Sequence, residues 1–217
     1  LGVAVCATPA GHYEYYGDVC FSDGRILTSE SGYGLMFDPA IYSAEEGNFL
    51  YYGFALQKRK EGFPEAAYKG GFVVQVENDM KTIKTLPIAT VPGKLQSVGT
   101  PYEGHAFLEA SSIRKIKNKY YLVYSSEQGH ELCYALAENP MGPFSYQGTI
   151  VSNGDVGLAR RMEKDAVNYL GNNHGGILII EDKSLGCATK AAIPAAPITP
   201  EVPATMEPIK DFLRPAS

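Results

Sequence analysis

The sequence predicts an all-β protein, and three observations support this: two internal repeats and an aromatic, turn-rich composition. The 217 residues include fifteen Tyr, nine Phe, 23 Gly and 14 Pro, with no Trp. These residue types favour strands and turns over helices. No segment keeps an apolar period of 3.6 residues for long, so the only helical expectation is a short turn around Pro64 to Lys69.

The first repeat joins two acidic residues to two aromatic strands. Asp38 leads through a polar turn into the strand around Leu50, and Glu109 leads through a similar turn into the strand around Leu122. Three residue pairs share one identical spacing: Ile41 and Ile113, Leu50 and Leu122, and Tyr52 and Tyr124.

A second repeat matches the start of the chain to a later segment, again at one fixed spacing. The matched pairs include Ala4 and Ala135, Pro9 and Pro140, Tyr15 and Tyr146, and Gly17 and Gly148. A third unit is expected at His174, which follows Glu109 at a similar interval and again precedes an isoleucine, Ile177. Self-similarity at a fixed period is typical of architectures in which each unit packs on its neighbours.

A repeat of this length, longer than that of common short propeller repeats, fits a four-stranded propeller blade with long loops. Equivalent innermost strands of a propeller face one axis, so we expect Asp38 and Glu109 to meet there. Residues 1–183 are predicted to form a partial propeller, and the Pro- and Ala-rich residues 184–217 an irregular tail. The repeat requires an aromatic strand near residues 186–188, where Gly186, Cys187 and Ala188 stand, so this strand is predicted to be missing.

Charge and cysteine usage exclude several classes of function. A net charge of −5 with scattered basic residues argues against nucleic-acid partners, because phosphate binding needs clustered Lys and Arg. The sequence contains no run of about 20 apolar residues, so no membrane span is predicted. None of the four cysteines has the close spacing of a zinc or redox site, so no metal site is predicted, and Cys133 is expected to be a buried free thiol.

Paired carboxylates in an apolar setting indicate glycosidic chemistry. Glu109 stands between Leu108 and Ala110, where an unpaired carboxylate is costly. Cleavage of a glycosidic bond needs one carboxylic acid to protonate the leaving oxygen and one carboxylate to activate water or attack the sugar. A third acid beside the proton donor raises the pKa of that donor and orients it.

Four segments resemble glycoside hydrolase family 43: FDPAIY with NFLYYG, GHAFLEASSIRKIKNKYYLVYSS, HELCYALAENPMGPFSYQGTIVSNGD and NYLGNNHGG. This family comprises β-xylosidases, α-L-arabinofuranosidases and arabinanases on a five-bladed β-propeller. The resemblance covers residues 1 to 181, or about three blades. It implies that Glu109 is the general acid and that Asp38 tunes the pKa and orientation of that acid. The general base of the family precedes the matched region, and no residue here corresponds to it.

Further residues are candidates for substrate contact. Phe37 and Phe107 flank the acids and are expected to stack on a sugar ring. His105 is expected to line the pocket, with a loop position as the alternative, and Asp155 to approach the sugar from a turn. The resemblance places His174 near the propeller axis, with calcium as a possible neighbour; no cofactor is required.

The sequence therefore predicts an inverting glycoside hydrolase for arabinose- or xylose-containing polysaccharides or oligosaccharides. The alternative is a noncatalytic carbohydrate-binding propeller. The chain by itself is expected to be inactive because the blade with the base is not among the matched residues. An extracellular or periplasmic location is favoured over a cytoplasmic one. The preferred pentose and linkage, exo or endo action and the oligomeric state are left open.

Overall fold

The computed structural model describes residues 1–171, 173–180 and 184–191, and strands dominate this part of the chain. One α-helix and four 3-10 helices are short, and among the described residues no helix is both long and apolar enough to cross a lipid bilayer. The strands are β1 (Gly2–Val5), β2 (Glu14–Asp18), β3 (Ala40–Ala44), β4 (Gly47–Tyr52), β5 (Gly70–Val76), β6 (Ile88–Pro92), β7 (Phe107–Ile116), β8 (Lys119–Ser126), β9 (Glu131–Ala137), β10 (Ser145–Ser152), β11 (Asn173–Ile180) and β12 (Ser184–Ala191). The helices are α1 (Lys94–Ser97) and the 3-10 turns Ser29–Ser31, Glu65–Tyr68, Asn153–Asp155 and Glu163–Asp165.

The strands form two complete four-stranded sheets and two strand pairs. One sheet has the order β3-β4-β5-β6 and the other β7-β8-β9-β10, while β1 pairs with β2 and β11 with β12. All of these pairings are antiparallel. The all-β prediction is confirmed, and the short turn expected near Pro64 is the 3-10 helix Glu65–Tyr68.

Both sequence repeats correspond to equivalent strand pairs. Ile41 lies opposite Leu50 in β3 and β4, and Ile113 lies opposite Leu122 in β7 and β8, as the first repeat requires. The second repeat reappears in the outer strands: Ala4 pairs with Tyr15, and Ala135 pairs with Tyr146. The β1–β2 pair therefore corresponds to the outer half of a blade.

The prediction of a missing strand near residues 186–188 was wrong. Strand β12 spans Ser184–Ala191 and pairs with β11 along its whole length, with Ile177 opposite Cys187. A strand ladder is made by backbone N–H and C=O groups, so small residues form it without the aromatic side chains of the other repeats. The predicted irregular tail therefore begins with a strand, and residues 192–217 lie outside the described residues.

The principal core lies between the two four-stranded sheets. It joins Phe49, Tyr51 and Val73 of one sheet to Leu122 and Tyr124 of the other, all of them buried. The Tyr51 hydroxyl donates to the carbonyl of Pro140 and so satisfies its polar atom within the core. Cys133 belongs to the same cluster as a buried free thiol, as predicted.

A polar cluster links the two sheets at the β3–β4 turn. The carboxylate Oε1 of Glu46 accepts hydrogen bonds from Lys115 Nζ at 2.8 Å, from the Tyr42 hydroxyl at 3.1 Å and from the Tyr120 hydroxyl. The hydrogen bond from Lys115, followed by that from Tyr120, lowers the pKa of Glu46 to about 2. The ionised carboxylate is therefore the form that stabilises the junction between the sheets.

We expect this junction to make stability depend on acid pH. Because the pKa of Glu46 is lower in the folded chain than its ordinary value of 4.5, its contribution is complete above about pH 4.5 and is lost as the pH falls towards 2. Urea unfolding at pH 7 should show Glu46→Gln less stable than wild type, and the difference should shrink at pH 3. The control is Glu138→Gln, at an exposed glutamate 3.2 Å from Lys119. A pH-independent difference would contradict this account.

Candidate active site

The inner strands β3, β7 and β11 bring three chemically active side chains together. Asp38 immediately precedes β3, Glu109 lies in β7 and His174 in β11, and β7 packs against both other strands. One carboxylate oxygen of each acid and one ring nitrogen of His174 all lie within 4.8 Å of one another. Residues from three separate repeats of the sequence thus share one site.

Local backbone irregularities place the two acids. Asp38 has a φ of 44°, a left-handed conformation that Asp adopts more readily than most residues. Glu109 is followed by a bulge, and Ala110 within it has a φ of 62°. The bulge accommodates one extra residue, because Glu109 lies four positions before Ile113 whereas Asp38 lies three before Ile41. A left-handed alanine costs about 1–2 kcal/mol, so the packing around the site must maintain it.

His174 fixes one oxygen of Glu109. Its Nε2 lies 2.9 Å from Glu109 Oε1, and the glutamate is buried. Glycine at residue 176 adds to the close fit of β11 on β7, because a Cβ there would stand 2.8 Å from Ser112 Oγ and the serine side chain would have to move. The Ser125 hydroxyl also donates to the carbonyl of Asn173, next to the histidine.

Burial dominates the electrostatics of Asp38. It raises the pKa of this carboxyl first, and the negative charge of Glu109 raises it further. His174 and a hydrogen bond from the Ala110 backbone act in the opposite direction. Oδ2 of Asp38 is buried and has no hydrogen-bond partner within the described part of the chain. The two acids therefore sit in one partly desolvated environment, where their charges oppose each other.

An open cavity with an aromatic wall is lined by Phe37, the residue that precedes Asp38 in sequence. Phe37 is 49% exposed and meets Phe54 edge to face, with ring centroids 5.5 Å apart. Both rings line a cavity of about 520 Å³, together with the polar residues Asp18, Thr28 and Ser29. An exposed aromatic wall with polar groups around it suits one face of a neutral sugar ring.

The chain is similar to enzymes that act on xylose and arabinose glycosides. A xylosidase/arabinosidase from Thermoclostridium stercorarium is 41% identical over 181 residues, which cover 83% of this chain and 37% of that protein. The xylose complex of a GH43_1 enzyme from Xanthomonas citri superposes with a TM-score of 0.58 at 22% identity, over 86% of this chain and 53% of the other. A GH43 β-xylosidase/α-arabinofuranosidase from a compost metagenome, solved with xylotriose in a calcium-free form, gives 0.58 at 23% identity, over 86% and 55% of the two chains.

The resemblance to glycoside hydrolase family 43 is thereby confirmed. The sheets are part of a five-bladed β-propeller and amount to about three blades. No protein-family model matches the chain. The chain spans about two fifths of the Thermoclostridium relative and about half of the solved family-43 chains.

Phe107 is not available to the sugar, contrary to the sequence prediction. Its side chain is fully buried, and its ring lies 5.8 Å from that of Tyr124. A Cβ on Gly71 would stand 2.8 Å from the Phe107 ring, which shows how closely the neighbouring sheet covers it. The prediction took Phe107 for a loop residue beside the acids, whereas Phe107 begins strand β7 and belongs to the core between the two sheets. A register shift in β7 separates it from Glu109.

The structure does not bring His105 and Asp155 into the site cluster. His105 Nδ1 lies 2.8 Å from Glu131 Oε2, and the ring stacks on Tyr146 at 5.0 Å, in a separate group of polar residues. The Asp155 side chain is 68% exposed on a turn and lies 3.9 Å from Arg161. The pocket position predicted for His105 and the sugar contact predicted for Asp155 are thus not supported.

Sequence reasoning missed two buried residues, Glu131 at the start of β9 and Asn173 at the start of β11. The signal for Glu131 was present, because a carboxylate opens the apolar strand ELCYALA, as Glu109 stands within another. Asn173 carried no comparable signal. Its side chain donates to the carbonyl of His130 across 2.8 Å, a contact 43 positions away in sequence.

Truncation to alanine should change the free energy of unfolding by very different amounts at the two phenylalanines beside the acids. Phe107→Ala should lower the free energy of unfolding by about 3–5 kcal/mol, because it leaves a cavity between two sheets. Phe37→Ala, at an exposed ring, should change it by less than about 1 kcal/mol. Chemical denaturation of the two variants measures both values, and equal losses would contradict the assignment of one ring to the core and the other to the surface.

Proposed function

We propose that this chain supplies part of the active site of an inverting glycoside hydrolase. Glu109 is the general acid, and Asp38 is the acid that tunes and orients it. One observation carries the proposal: the two carboxylates that match the family-43 motif meet His174 within 4.8 Å although they come from separate repeats. Burial without such a role would be costly for two like charges.

The spacing of the carboxylates argues against Asp38 as the base. An inverting pair stands about 6.5–9.5 Å apart to leave room for the attacking water. The oxygens of Asp38 and Glu109 lie within 4.8 Å, too close for that arrangement. The family resemblance instead gives Asp38 the orienting role beside Glu109. By the family resemblance, the base is an Asp on a preceding blade, and no residue of this sequence corresponds to it.

Each residue of the cluster then has a defined task. Glu109 delivers a proton to the leaving oxygen as the glycosidic bond breaks. His174 holds Oε1 of Glu109 at 2.9 Å, which leaves Oε2 for the transferred proton. Asp38 lies beside Glu109 and, by the family resemblance, orients it. The base on the preceding blade activates water on the opposite face of the sugar.

The proposed substrates are arabinose- or xylose-containing oligosaccharides and polysaccharides. Support comes from the relative named as a xylosidase/arabinosidase and from solved family-43 enzymes with xylose or xylotriose. In this chain, Phe37 and Phe54 offer an aromatic surface for a pentose ring, and Phe37 directly precedes Asp38 in sequence. A xylopyranose ring lacks the exocyclic hydroxymethyl group of a hexopyranose and needs less room beside these rings.

Calcium near His174 stays a prediction, and the proposed mechanism does not use it. Calcium prefers six to eight oxygen ligands. The cluster offers carboxylates from Asp38 and Glu109 and a nitrogen from His174. That nitrogen is already engaged with Glu109 at 2.9 Å. This donor set does not fit a directly bound calcium ion.

The first test uses leaving groups. The protein should be expressed with its own upstream coding sequence, since the 217-residue chain by itself is expected to release no pentose. Glu109→Gln should lower kcat about 10²–10⁴-fold on aryl pentosides with poor leaving groups, and far less on those with good ones, because only the former need protonation. Glu163→Gln, on an exposed turn before β11, is the matched control. An equal loss of kcat on substrates with poor and with good leaving groups would contradict the role of Glu109.

The second test concerns stereochemistry. Proton NMR of the first sugar released should show the anomer opposite to that of the substrate. A retained anomer would make Asp38 a nucleophile rather than a modulator, since retaining carboxylates stand about 5–5.5 Å apart.

A further inference from the structure

A second buried carboxylate lies outside the acid cluster. Glu131 opens β9 and is buried. Its Oε2 lies 2.8 Å from His105 Nδ1 and accepts from Ser126 Oγ at 2.9 Å, while its Oε1 accepts from Thr149 at 3.4 Å. A buried carboxylate is stable only when several hydrogen-bond donors compensate its desolvation. His105, Ser126 and Thr149 supply these donors to Glu131.

The network anchors the loop that leads into β7 and to Glu109. His105 lies four residues before this glutamate, in the loop that enters β7. The Tyr124 hydroxyl donates to the carbonyl of His105 at 2.8 Å, and the backbone N–H of Glu127 donates to Ala106 at 2.7 Å. The end of β8 and the start of β9 thus fix the entry to β7 from several directions.

The same hairpin holds the strand that carries His174. The side chain of Asn173 donates to the carbonyl of His130 at 2.8 Å, one residue before Glu131. The Ser125 hydroxyl donates to the carbonyl of Asn173. The β8–β9 turn, residues 125–131, therefore touches both strands whose side chains meet at the 2.9 Å contact between His174 and Glu109.

We propose that Glu131 and His105 are positioning residues, which set the placement of Glu109 relative to His174 and to the leaving oxygen. This inference rests on the proposed function. Neither residue touches the reacting atoms; both act through the loop into β7 and the β8–β9 turn. An error of about 1 Å in the position of a catalytic group costs as much as 10²-fold in rate, so an anchor of this kind matters for catalysis.

A metal ion is the competing explanation for these side chains. One potential ligand atom from each of His105, Glu131 and Cys133 lies within 4.8 Å of the other two. Hydrogen bonds from Ser126 and Thr149 already occupy both oxygens of Glu131. Burial also raises the pKa of the Cys133 thiol to about 12, which opposes the thiolate that a metal needs. A hydrogen-bonded anchor accounts for these contacts better than a metal site.

The test compares two buried glutamates of one hairpin in the protein with its upstream coding sequence. Glu131→Gln removes the carboxylate that faces His105. Glu127→Gln, the matched control, removes one that pairs with Lys94 at 2.7 Å instead. Glu131→Gln should lower kcat about 10- to 100-fold on pentosides with poor leaving groups, and less than about threefold on those with good ones. Glu127→Gln should show no dependence on the leaving group.

A second pair of variants keeps the inference testable if Glu131→Gln does not fold. His105→Asn retains a donor near the position of Nδ1 and should preserve most of the rate on poor leaving groups, whereas His105→Ala should lose it. Equal losses on both substrate types, or zinc bound in equimolar amount to wild type and lost in Glu131→Gln, would overturn the inference. If Glu109→Gln shows the leaving-group effect and Glu131→Gln does not, only this inference fails, and the proposed function stands.

Discussion

The contact between His174 and Glu109 is the constraint on which the rest of the site depends. It joins strands β11 and β7, which are distant in sequence, and glycine at residue 176 leaves room for Ser112 between the two strands. Asp38 then completes the cluster from the start of β3. A buried carboxylate has few stable arrangements, so the repeated strands must converge accurately for all three groups to coexist.

Backbone strain and an unpaired buried polar atom both occur at this point. Ala110 adopts a left-handed backbone beside Glu109, and Oδ2 of Asp38 is buried without a partner among the described residues. Such features persist where the surrounding packing determines them, and they cluster at functional sites. In the core, Tyr51 and Tyr102 direct their hydroxyls to the carbonyls of Pro140 and Phe144. Tyr52 and Thr90 also have buried side-chain oxygens without a partner among the described residues, so an unpaired polar atom alone does not mark the site.

Strand register could be predicted from sequence because the repeats preserve it. The isoleucines and leucines that match in the first repeat are cross-strand partners in both sheets. The convergence of Asp38 and Glu109 followed from that symmetry. The burial of Phe107 did not, because a register shift within β7 changes which side chains share a face, and composition carries no mark of it. Strand β12 escaped prediction for a related reason: backbone pairing, rather than aromatic content, defines it.

The most direct test of the central claim is a crystal structure of the Glu109→Gln variant, expressed with its upstream coding sequence and soaked with xylotriose or an arabinose-containing oligosaccharide. The account predicts that the glycosidic oxygen lies about 2.6–3.2 Å from the side-chain amide of residue 109, with a sugar ring against Phe37. A sugar bound away from Asp38 and residue 109, with the cluster left unoccupied, would contradict it.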